Sequence, residues 1–165
     1  MLRRVHAFQP IELDPELRFE DRSFDSLMEY WESKRAGAAL PSRADIDPLD
    51  LPEHLPNLCL IEVHDPPLRM RYRLVGTAIV EQLHRDSTHR WYHELYSADD
   101  MAFLESMYRR MMRDRRPLRT FGRSRYADSD YYDFEMLSLP LASDNETVDM
   151  VLGKLVFRFS SHQQA

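Results

Sequence analysis

The spacing of apolar residues along this chain switches between a helical period and strict alternation, and each switch marks an element. Phe24, Leu27, Met28 and Trp31 fall at i, i+3, i+4 and i+7, which predicts a helix with one apolar stripe. Ser23 suits its cap, Asp25 its first turn, Lys34 and Arg35 its last turn, and Gly37 its stop. Residues 1–22, with Pro10 and Pro15 and no clear period, read as an extended arm. From Leu40 to Asn57, Pro41, Pro48, Pro52 and Pro56 disfavour helix before them and predict short turns, to which Asp45 and Asp47 are suited.

Alternation follows. Cys59, Ile61 and Val63 alternate with Leu60, Glu62 and His64, then Asp65, Pro66 and Pro67 turn the chain into a second strand with Tyr72, Leu74 and Gly76, a hairpin. Ala78 to Leu83 predicts a short helix, and His84 to Tyr96 no more than short helical turns. Ser97 with Asp100 forms a capping-box pattern ahead of a long helix whose stripe is Met101, Leu104, Met107, Tyr108, Met111 and Met112. Three strands close the chain, over Leu118 to Tyr126, Tyr131 to Leu141 and Val148 to Phe159, separated by turns at 127–130 and 143–146.

Two strands, a helical cluster ending in a long helix, then three antiparallel strands is the element order of the PAS fold. The segments MEYWESKRAGAALPSRADIDP, LPNLCLIEV, YRLVGTAIVEQLHRDSTHRWYHEL and LSLPLASDNETVDMVLGKL resemble a bacterial PAS-like family from roughly Leu27 to Phe159. The shared features are Tyr30 and Trp31 on a helix, the Leu40 to Pro48 lead-in, and the strand end Arg73 to Thr77. Where that pattern leads one to expect glycines, this chain has His84 and His89.

The resemblance implies an α+β domain: a five-stranded antiparallel sheet with helices on one face, plus an N-terminal amphipathic helix. The expected division is an arm over 1–22, a flanking helix over 23–37, the PAS-like domain over 38–160 and a tail over 161–165. It also implies a sensor or interaction module without catalysis of its own, holding a small ligand in an apolar cavity against the sheet. Tyr72, Met107, Met111, Tyr132, Phe134 and Met136 are the expected lining. Because PAS domains often associate through a flanking helix, Phe24, Leu27, Met28 and Trp31 are the expected surface for a homodimer or a signalling partner.

The 165 residues, 43% of them hydrophobic, suffice for one domain with a core. No apolar run approaches a membrane span and the start has no signal-peptide centre, which leads to the expectation of a cytoplasmic protein. The single cysteine, Cys59, precludes an internal disulfide and sits where a buried, inert thiol is expected. A formal charge of -6 disfavours nucleic acid as a partner, although arginines are dense from Arg109 to Arg125.

Candidate chemistry is sparse. His84, His89 and His93, near Glu94, form the nearest thing to a polar or metal cluster, because His89 and His93 would share a face if helical; solvated surface histidines are the plainer reading, so no metal is assigned. A haem would need an axial histidine, commonly from the long helix, which offers Met107, Met111 and Met112 instead; a photoactive flavin would need a reactive cysteine in an Asn-Cys-Arg-Phe-type helix motif, and Cys59 lies on a strand. Both cofactors are disfavoured, and none is assigned. Arg119, Arg123 and Arg125 share a strand face by period two, an anionic-ligand patch or simply a solvated face. Two alternatives stay open: a small cavity enzyme of isomerase or hydratase type with Asp133, Tyr132 or His93 as acid/base, and a nucleic-acid regulator using Arg109 to Arg125. No nucleophile elbow or phosphate loop is present, so no catalytic residue is assigned.

Overall fold

The computed structural model describes residues 11–126 and 130–159. Strand β1 (Ile11–Asp14) and helix α1 (Ser23–Arg35) are followed by three 3-10 turns at Arg43–Asp45, Pro48–Asp50 and Leu55–Asn57. Then come β2 (Leu58–His64), β3 (Arg69–Val75), α2 (Thr77–Leu83), α3 (Tyr92–Leu95), α4 (Ala98–Asp114), β4 (Leu118–Tyr126), β5 (Asp130–Leu141) and β6 (Met150–Phe159). The strands form one antiparallel sheet in the order β1-β4-β5-β6-β2-β3.

That is one strand more than expected. The arm supplies it: Ile11 pairs with Gly122 and Asp14 with Arg119, so β1 satisfies the backbone edge that β4 would otherwise leave open. Residues 1–10 of the expected arm and the tail over 161–165 lie outside the described residues.

Paired residues of antiparallel strands point to the same side, which sorts the sheet into two faces. Tyr72, Thr120, Phe134, Met136 and Leu155 point toward α3 and α4. Arg119, Glu135, Leu137 and Lys154 sit one position out of step with them and point to the reverse face, where α1 lies.

The α1 stripe covers that reverse face. Phe24, Leu27 and Trp31 are 0–2% exposed in the domain's own core, and Met28 packs against it. The expected partner surface is therefore corrected: these side chains are spent on the sheet, because an apolar sheet face is itself a surface needing cover.

The structure gives the family-like motifs physical roles. Trp31 Nε1 donates to Pro140 O at 3.0 Å on β5, while the Tyr30 hydroxyl accepts from Asp47 N at 2.9 Å and donates to Asp50 Oδ2 at 3.0 Å. Adjacent residues of one helix turn thus fasten it to the sheet and to the proline-rich lead-in. Gly76 donates its N–H to Leu58 O at 2.7 Å, and a Cβ there would press on Pro56 O and meet Leu55 O at 2.7 Å. Only glycine permits that approach.

His84 and His89 have φ of 47° and 67°, left-handed positions where glycine is the usual choice. Histidine enters this region more readily than most side chains, so the turns are made without glycine. His84 ends α2, and His89 donates its N–H to Tyr72 O at 2.7 Å.

Candidate ligand pocket

Between α4 and the sheet lies a cavity of about 50 Å3. Helix α4 contributes Phe103, Leu104, Met107 and Tyr108; the sheet contributes Ile11, Tyr72, Thr120, Phe134, Met136 and Leu155; Tyr92 and Tyr96 close it from the α3 segment. Helix α4 is aimed by its cap, since Ser97 Oγ accepts from Asp100 N at 3.2 Å and donates to Asp100 Oδ2 at 2.7 Å.

Four tyrosines meet in this wall. The Tyr72 and Tyr96 hydroxyls are 2.6 Å apart, and those of Tyr92 and Tyr108 are 3.0 Å apart. The ring of Tyr92 lies 4.8 Å from Tyr72, 5.1 Å from Tyr96 and 5.9 Å from Tyr108, the latter two edge-on, a favourable arrangement for aromatic quadrupoles. Burial pushes all four phenols up, because a phenolate would be desolvated here. The wall is neutral, mostly apolar and studded with hydroxyls.

Four expected lining residues, Tyr72, Met107, Phe134 and Met136, meet in this cavity. Met111 is fully buried but belongs to the core one turn farther along α4, and Tyr132 lies outside the lining. Tyr92, Tyr96 and Tyr108 add to the expected lining; the signal for them is Tyr92 and Tyr96 at i, i+4 with Tyr108 on the α4 stripe.

His84, His89 and His93 are exposed, and no cluster able to hold a metal occurs among the described residues. The acid/base groups of the enzyme alternative lie off this cavity: His93 is exposed on α3, Asp133 pairs with Arg123 at 3.4 Å, and neither they nor Tyr132 are in its lining.

Much of the arginine patch is taken up by separate pairings, while Arg115 and Arg116 are exposed. Arg109 meets Asp65 at 2.9 Å, and Arg110 and Arg113 meet Asp114 at 3.6 and 2.9 Å. Arg119, only 6% exposed, lies between Glu135 at 2.8 Å and Asp14 at 3.3 Å, with its guanidinium 4.2 Å from the centre of the Phe121 ring. Glu135 further accepts from the Glu20 and Asp21 amides, each at 3.1 Å, and from Arg158. Period two placed Arg119 and Arg123 on one face correctly; the arm and α1 cover that face around Arg119. The side chain of Arg125 lies outside the described residues.

The family model that matches this chain is described as PAS domain and spans residues 19–156. The chain belongs to the PAS domain family. Its antiparallel sheet and helices are those of this fold, and β1 lies before the matched span. Among solved structures, a LOV protein of Rhodobacter sphaeroides is 15% identical over 71% of each chain, with a TM-score of 0.48. An RNA-binding light-oxygen-voltage receptor is 12% identical over 91% of this chain and 39% of its own, also at 0.48. No curated protein matches the chain.

Among the described residues the cavity lining presents no histidine to a haem iron. Cys59 is buried on β2 with its thiol pushed up to about 12 by desolvation, and it is not in the lining, so the cavity has no thiolate to form a flavin adduct.

Proposed function

We propose that this PAS domain is a non-catalytic sensor whose cavity between α4 and the sheet receives a small molecule. The observation that supports the reading is the convergence of four tyrosines from β3, the α3 segment and α4 on a cavity otherwise lined, apart from Thr120, by apolar side chains. Concave, mostly apolar sites with a few convergent polar groups are the usual form of ligand pockets. Occupancy would bear directly on α4 and on the sheet, both of which line it.

The signal then passes by contact to a partner protein or a second copy in the cytoplasm. With Phe24, Leu27 and Trp31 packed on the sheet, that contact uses another surface. No described helix is long and apolar enough to cross a membrane.

Native mass spectrometry of freshly purified protein tests the reading, since it reports retained small molecules and subunit number together. A bound species lost when Met107→Trp fills the cavity supports it. Apo monomer in every preparation, with no change on adding small-molecule mixtures, overturns it.

A further inference from the structure

The four phenols of the cavity do not balance their own hydrogen bonds. Each hydroxyl carries one hydrogen and can accept through two lone pairs. Tyr72 and Tyr96 share one hydrogen bond and Tyr92 and Tyr108 another, so two of the four hydrogens are used. In each pair one O–H is left over, and no further hydrogen bond uses it among the described residues. Buried O–H groups left without an acceptor are costly, whereas an acceptor placed beside them recovers that cost.

The rest of the wall limits what can bring the acceptor. Among the described residues the lining has no charged side chain, so an ion would meet no counter-charge from them and would lose its hydration. The size is also limiting: at roughly 10–15 Å3 per water-sized position, the space holds about three to five of them, which suits a molecule of about six heavy atoms.

We propose, building on the reading of this cavity as a ligand site, that it selects a small uncharged molecule with one hydrogen-bond acceptor, of the ketone, aldehyde or ether class. Its oxygen accepts from the spare O–H of one tyrosine pair while its hydrocarbon part lies against Leu104, Met107, Phe134 and Leu155. Selectivity then comes from the unused hydrogens rather than from charge.

Cyclopentanone and methylenecyclopentane share a shape and differ in that C=O replaces C=CH2, and each can be titrated into isotope-labelled protein by NMR. Butyrate and cyclopentylammonium serve as charged probes of similar size. The native protein is expected to bind the ketone while the two ions fail to bind at the same concentrations.

The preference for ketone over hydrocarbon, as a ratio of dissociation constants, is expected to fall roughly three- to tenfold in Y72F/Y96F, in Y92F/Y108F or in both. Phenylalanine keeps the ring, and removing both members of a pair leaves no orphaned hydroxyl, so each double variant is expected to fold; the comparison with ions needs no variant at all. If both neutral probes bind and the ratio is unchanged in both double variants, the acceptor inference falls while the cavity reading stands. If either ion binds as tightly as the ketone, the inference also falls. If no neutral probe binds, the cavity reading falls and takes the inference with it.

Discussion

Lys154 Nζ and His54 Nδ1 lie 2.9 Å apart under helix α1, and the two residues are only 4% and 7% exposed. Lysine can only donate, so His54 accepts at Nδ1 and is neutral, leaving its Nε2–H to donate to Ser26 Oγ at 3.1 Å. Lys154 also donates to Ser23 Oγ at 2.8 Å and Ser23 O at 3.2 Å. Ser23 is therefore not the expected helix cap: its hydroxyl serves Lys154, and the first turn is tied instead by Asp21 Oδ1, which accepts from Ser23 N at 2.8 Å.

Acidification should loosen this contact. Burial, then the nearby Lys154 charge, holds His54 below its ordinary value of 6.5, so the unfolded chain takes up the proton first. The stabilisation is complete above about pH 6.5 and is lost as pH falls through the lower folded-state value. Lys154 is also lowered, chiefly by burial, which gives the same sign: stability rises with pH. The expected result is a melting temperature that drops between pH 7 and 5, and a flatter profile in H54Q, whose amide can keep both hydrogen bonds without titrating there. Equal slopes in the two proteins would refute the assignment.

Glu135 is the keystone of the reverse face near β1. Glu135→Ala removes the partner of buried Arg119 and the acceptor for two backbone amides. Breaking a buried pair from one side typically costs about 3–5 kcal/mol. Urea unfolding should show a loss of that size, whereas Asp133→Ala, which removes one partner of half-exposed Arg123, should cost no more than about 1 kcal/mol.

Gly76→Ala should be destabilising although alanine is small. The added methyl presses on the backbone oxygens of Pro56 and Leu55, which cannot swing aside as a side chain can. Overpacking of this kind costs about 1–3 kcal/mol, read as a lower urea midpoint at unchanged slope. Gly37→Ala, where φ is 85° but nothing lies within 4 Å, separates backbone strain from collision.

The α1 stripe offers a direct comparison between core and interface. Leu27→Ala should cost about 2–5 kcal/mol of unfolding free energy, the range for a buried leucine. An interface residue would instead change the mass in solution without a comparable loss of monomer stability. Light scattering and urea unfolding on the same sample decide between them.

Much of the architecture is legible because period carries it. The α4 stripe and the alternation of β2 and β6 announce their buried sides directly, and Met107, Phe134 and Met136 follow as lining once the helix is laid on the sheet. The tyrosine wall is less legible because Tyr72, Tyr92 and Tyr108 come from three separate elements, and their meeting depends on how the 84–96 segment turns. That turn is made by two histidines in left-handed geometry, a role that a ligand-oriented reading of imidazoles passes over. Arg119 is hidden for a similar reason: alternation gives its face, but not that a distant arm brings Asp14 to it.

Strand β1 has a place on both sides of the sheet. Ile11 forms part of the cavity wall, and Asp14 on the same four-residue strand holds Arg119 on the reverse face. Lifting the strand from β4 would unroof the tyrosines and strip a counter-ion from Arg119 in one motion. Tension on the polypeptide ahead of Ile11 would thus work as a zip-pull, opening the sheet from its edge.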